Sequence, residues 1–162
     1  MSNYKSLYVA RNLEGSAVRY LETLADRLGL ETPDDPLHGS LIYSKGAVDW
    51  DAAPFQMSKA PLALTLENAK FERFGPCIVL TFDNAEFVER NKALQNAGAT
   101  TDFPDFQPHV TIGYDPEGHL KELPAPGLAP DTLSFGPEFR EEITWEPEPE
   151  VEEDAAEECP AP

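Results

Sequence analysis

The stretch Phe106-Gln107-Pro108-His109-Val110-Thr111-Ile112-Gly113-Tyr114 decides the fold, and Leu37-His38-Gly39-Ser40-Leu41-Ile42-Tyr43-Ser44 is its earlier twin. Each sets a histidine two residues before a hydroxyl residue and then runs through apolar residues to a tyrosine. Side chains alternate across a strand, so His109 and Thr111 share one face while Val110 and Ile112 share the other. The same alternation joins His38 to Ser40 and turns Leu41 the opposite way. The chain thus carries one device twice, a His-x-Thr/Ser on a strand, and two of its three histidines belong to it. One histidine on a strand is most often a hydrogen-bonded structural residue. Two in matching contexts point to paired use. Histidine's ordinary pKa of about 6.5 lets it act as acid or base near neutrality. Facing one phosphodiester, one imidazole could take a proton and the other give one, with the two hydroxyls donating to phosphate oxygens.

Working outward, 162 residues suffice for one domain with a sizeable core plus a tail. Residues 1–145 are expected to form the domain, and residues 146–162 an acidic, Pro/Glu-rich disordered tail, because alternating Glu-Pro and then Glu/Asp/Ala cannot bury a core. The net charge of −18 argues against binding long nucleic acid through its backbone. It is unevenly spread, since residues 141–162 hold 10 of the 30 acidic residues and none of the 12 basic ones. A small anion can still enter a locally neutral cleft. No secretory leader or bilayer-length apolar run is present, so a cytoplasmic chain with no membrane partner is expected. Cys77 and Cys159 make no disulfide framework and are expected as reduced thiols. No Cys/His cluster has zinc spacing and no glycine-rich phosphate loop occurs, so neither metal nor cofactor is expected.

In chain order, Ser6 to Ala10 reads as a first strand, with Tyr8 either a core aromatic or a pocket wall. A helical stripe of Val18, Leu21, Leu24, Ala25 and Leu28 follows, closed by Gly29. The first motif strand should break at Ser44-Lys45-Gly46, and residues 47–60 look irregular. Leu62 to Leu66 alternates as a strand, and Phe71 to Phe74 continues it beyond a turn at Glu67-Asn68. Cys77 to Phe82 is almost wholly apolar and so a central strand. Asp83-Asn84-Ala85-Glu86 starts a second helix, with Phe87, Val88 and Leu94 inward, that ends at Gly98. Pro108 fixes an extended entry to His109. Leu133 to Gly136 and Phe139 to Trp145 read as two short strands, or one bent at Gly136-Pro137. Each half contains a helix and one motif strand, which gives an α+β chain of two similar lobes facing each other.

The paired motifs in an α+β chain of this size resemble the two-histidine phosphoesterase superfamily over roughly residues 5–145. Tyr8-Val9-Ala10, Leu37 to Lys45, and Asp102-Phe103-Pro104-Asp105-Phe106-Gln107-Pro108-His109-Val110-Thr111 look like one branch of it, the phage anti-CBASS nucleases, which destroy cyclic oligonucleotide alarm molecules of bacterial immunity. The resemblance implies a bilobal fold, two small antiparallel sheets facing a central groove with helices outside, and no metal. It makes His38 and His109 the general acid/base pair, Ser40 and Thr111 the phosphate donors, and Tyr8 a pocket residue. It also implies a glutamate and a tryptophan that contact the base. Glu138 and Trp145 are the nearest matches, with Glu141 the alternative. The first motif departs from the family by carrying serine, which keeps threonine's hydroxyl but loses the methyl that stiffens its rotamer.

The implied activity is metal-independent hydrolysis of 3′-5′ linkages in cyclic di- and trinucleotides such as 3′,3′-cGAMP. It would act in the host cytoplasm during phage infection, as a monomer or weak homo-oligomer. Tyr8 and Trp145 would stack on a base, and Glu138, accepting from an exocyclic amine, would favour adenine. The alternatives are a two-histidine phosphodiesterase for 2′-5′ oligoadenylate or RNA 2′,3′-cyclic phosphate ends, a non-cleaving cyclic nucleotide sponge, or a structural phage protein.

Overall fold

The computed structural model describes residues 3–33, 35–101 and 106–143. Trp145, the tail, and the Asp102 to Asp105 part of the family-like stretch lie outside them. The elements run β1 (Tyr4–Glu14), α1 (Ser16–Arg27), β2 (His38–Asp49), β3 (Leu62–Thr65), β4 (Glu67–Phe74), β5 (Cys77–Asp83), α2 (Ala85–Asn96), β6 (His109–Tyr114) and β7 (Thr132–Glu141). A 3-10 turn at Ala53–Phe55 and another at Pro126–Leu128 complete them.

The strand order is β3-β7-β1-β2-β6-β5-β4, and every pairing is antiparallel. The two expected sheets are present as β3-β7-β1-β2 and β6-β5-β4. One register pair, Gly39 with Val110, links them, so by hydrogen bonding they form a single seven-stranded sheet. The outermost strands β3 and β4 are separated in sequence by Leu66 alone. Consecutive Cα atoms are about 3.8 Å apart, so the two edges must come back together and the sheet curls toward a barrel.

One face carries the core. Leu7, Val9, Ile42, Leu80, Phe82, Val110, Ile112 and Phe135 are buried there with Ala17 and Leu21 of α1 and Phe87 and Leu94 of α2. Each large side chain fully removed from water contributes roughly 1.5–3 kcal/mol. Asn84 caps α2 by accepting from the Phe87 N–H at 3.0 Å. Asn91 of α2 donates to the Leu41 carbonyl at 2.7 Å, fastening the helix to the first motif strand.

Some local expectations need correction. β2 does not stop at Ser44-Lys45-Gly46 but runs to Asp49. The Ser44 hydroxyl donates to the Gly46 carbonyl and accepts the Thr100 N–H, so the strand is held through its polar residues. β4 starts at Glu67, with Asn68 taking φ 53° inside a register shift instead of a separate turn. β7 is the single bent strand, its register shift against β1 falling between Phe135 and Glu138. Cys77 is disulfide-bonded and not the reduced thiol expected.

Candidate active site

The single junction between the half-sheets positions the site. Gly39 faces the core: a Cβ there would meet Phe87 at 2.9 Å and Phe135 at 3.2 Å. Its partner Val110 is fully buried. Alternation therefore turns the flanking residues His38, Ser40, His109 and Thr111 to the opposite face. Antiparallel pairing reverses one motif against the other, so His38 lies toward Thr111 and Ser40 toward His109. The four residues singled out by the motifs converge there.

The two imidazoles are oriented alike. Nδ1 of His38 lies 2.8 Å from the Pro36 carbonyl, and Nδ1 of His109 lies 2.9 Å from the Gln107 carbonyl. A carbonyl oxygen can only accept, so both Nδ1 atoms carry the proton and both Nε2 atoms are left for chemistry. In each motif the anchoring carbonyl belongs to the residue two before the histidine. Gln107 is itself fixed, since its amide donates to the Phe82 carbonyl at 2.7 Å. Phe74 closes the other side of His109, with ring centroids 5.3 Å apart in an edge-on contact.

Burial pushes the His109 pKa below its ordinary value, against the Gln107 hydrogen bond, and charge on His38 lowers it further. That mutual repulsion is the electrostatic sign of two imidazoles sharing a space. A base must be neutral to accept a proton, so the acid limb of any His109-dependent activity should lie below pH 6.5. His38→Ala removes the repulsion and should move the His109 titration upward, read by ring-carbon NMR. An unmoved titration would mean that the rings do not face each other.

Tyr8 lines the same face. Its hydroxyl lies 2.6 Å from Ser40 Oγ, and its ring contacts those of Tyr43, Phe139 and His38 at 5.9, 6.3 and 6.4 Å. Burial raises its pKa to about 12, with the charges of Glu141 and Asp35 adding to the effect of burial. It stands outside the buried core cluster, on the face of the motif hydroxyl Ser40.

The two glutamates separate. Glu138 is buried away from the motif residues. It accepts from Arg90 Nε at 3.0 Å, Arg90 Nη2 at 3.1 Å and the Ser58 N–H at 3.0 Å, with Arg11 at 3.8 Å. Both its oxygens are occupied by the protein. Glu141 pairs directly with Tyr8 in the β1–β7 register and is exposed, so of the two it is the one on the side of Tyr8. Arg140 braces this end of β7, donating to the Trp50 carbonyl at 2.7 Å and lying 4.5 Å over the Trp50 ring. His119 is exposed, as expected, in the loop after β6. Sequence reasoning missed Phe74, the Pro36 and Gln107 carbonyls, and the Arg90 clamp on Glu138. A ring contact across two strands leaves no local signal, although the shared proline-containing approach to each histidine was visible.

The family described as Anti-CBASS protein Acb1 matches residues 5–148. An Anti-CBASS protein Acb1 of Caulobacter sp. (strain RHG1) is 34% identical over 116 residues, covering 67% of this chain and 18% of that protein. One of Acinetobacter phage Ac42 is 28% identical over 148 residues, covering 88% of this chain and 95% of that protein. The chain therefore spans less than a fifth of the Caulobacter relative and nearly all of the phage one. In fold, Escherichia coli LigT crystallised with 3′-AMP matches with a TM-score of 0.60 at 14% identity, covering 90% of this chain and 91% of LigT.

Proposed function

The chain belongs to the Anti-CBASS protein Acb1 family, and from that premise we propose that it hydrolyses 3′-5′ phosphodiester bonds of cyclic di- and trinucleotide immune signals such as 3′,3′-cGAMP. The observation that carries the reading is the pair of imidazoles on one face at the Gly39–Val110 junction, each with Nδ1 held and Nε2 left for chemistry.

His109, whose charged form is disfavoured by burial, takes the proton of the ribose 2′-hydroxyl. The 2′ oxygen attacks phosphorus in line, the bond to the 5′ oxygen breaks, and the half-exposed His38 gives that oxygen a proton. The product is a linear oligonucleotide with a 2′,3′-cyclic phosphate and a free 5′-hydroxyl. With the histidines in exchanged roles, water then opens the cyclic phosphate. Ser40 and Thr111 donate to the non-bridging oxygens as their charge redistributes. Both proton transfers come from side chains, so the reading includes metal independence. Tyr8 and Glu141 are the proposed base contacts on this face, with Trp145 carried from the family resemblance. A strongly acidic chain suits a compact ligand better than a long polyanion. Removing the signal would blunt host defence during phage infection.

The test is cyclic di-AMP against its 2′-deoxy counterpart in EDTA. The ribose form should be cleaved through a 2′,3′-cyclic phosphate and the deoxy form left intact. Equal cleavage of both would rule out internal attack, and cleavage only when divalent ions are restored would rule out a metal-independent route.

A further inference from the structure

The two motifs are not chemically equal. Thr111 carries a β-methyl, which stiffens χ1, while Ser40 has none. Thr111 makes no side-chain hydrogen bond among the described residues, whereas Ser40 Oγ lies 2.6 Å from the Tyr8 hydroxyl. The backbone is shaped to make that contact. Tyr8 pairs with Tyr43, Val9 with Ile42 and Ala10 with Ser40, which leaves Leu41 as an extra residue in β2 opposite the Val9–Ala10 step and brings Ser40 onto the face of Tyr8. Rings on three sides, Tyr43, Phe139 and His38, hold the phenol in place.

A serine hydroxyl has one hydrogen. If it were donated to Tyr8, Ser40 could offer a phosphate oxygen only a lone pair, which is repulsive. We propose that Tyr8 is a positioning residue: it donates its phenolic proton to Ser40 Oγ, fixes the serine rotamer in place of the missing methyl, and leaves the serine proton for a phosphate oxygen. Burial keeps the phenol protonated across the working pH range, so its proton is available for that bond. The donor role of Ser40 rests on the phosphodiesterase reading above. The fixing of its rotamer does not.

Tyr8→Phe keeps the ring and removes only the hydroxyl. On 3′,3′-cGAMP, kcat should fall roughly fivefold to tenfold, the range of one hydrogen bond, with KM changed less than about twofold. In a Ser40→Thr background the same change should cost less than about twofold in kcat, because the threonine methyl now holds χ1. The χ1 couplings of residue 40, measured by NMR without substrate, should report one rotamer in the native chain and in the double variant, and averaging in Tyr8→Phe. A raised KM with intact kcat would make Tyr8 a stacking wall only and overturn the proposal. An equal loss in both backgrounds, or an unaveraged Ser40 in Tyr8→Phe, would overturn it too. If the native chain cleaves nothing, the substrate reading fails, and the couplings alone still decide whether Tyr8 positions Ser40.

Discussion

His109→Ala should lower turnover of 3′,3′-cGAMP by at least ~10²–10⁴-fold, the contribution of one general acid or base. Melting should stay within a few degrees of the native chain. The expectation follows from what holds the ring. Nδ1 is committed to the Gln107 carbonyl at 2.9 Å and one edge packs on Phe74, which leaves Nε2 as the reactive atom. Burial and the facing His38 disfavour the imidazolium, so the neutral base predominates at neutral pH. His38→Ala should cost a similar factor. The double variant should be little worse than either single one, because the two rings act as a unit on one proton-transfer sequence. A histidine with only a structural task would give the reverse pattern, a loss of melting temperature with turnover retained.

The second large effect is on stability. Glu138→Ala should destabilise the fold by about 3–5 kcal/mol, because it leaves Arg11 and Arg90 without their buried counter-charge and the Ser58 N–H without an acceptor. For a chain of this size that corresponds to a melting temperature lower by about 10 °C. Below that transition, KM for the cyclic dinucleotide should remain near native. Glu141→Gln should behave oppositely, with melting unchanged and KM raised, because Glu141 is exposed and stands opposite Tyr8. If Glu138→Ala left melting intact and raised KM, the glutamate would be a ligand contact and its clamp would be secondary.

These contrasts mark what the sequence made legible. Period-two alternation is a strictly local property, so the faces of His38, Ser40, His109 and Thr111 followed from their spacing alone. Capping is also local, and Asn84 closes α2 as its side chain allows. The face presented by Glu138 depends instead on a register shift across Gly136-Pro137, and counting residues from Trp145 does not reveal it. Its partners arrive from α2, β1 and the loop at Ser58, all distant in sequence. The joining of two half-sheets through one residue pair is likewise non-local. It depends on Gly39 lacking a side chain where Phe87 and Phe135 close in, a contact that no pattern within the motif encodes.

The most direct measurement incubates the purified chain with 3′,3′-cGAMP in excess EDTA and follows products by chromatography, with His109→Ala in parallel. The expected result is conversion by the native chain to a linear dinucleotide bearing a 2′,3′-cyclic phosphate, with the variant slower by at least ~10²-fold. Binding without cleavage, or equal cleavage by both chains, would contradict it.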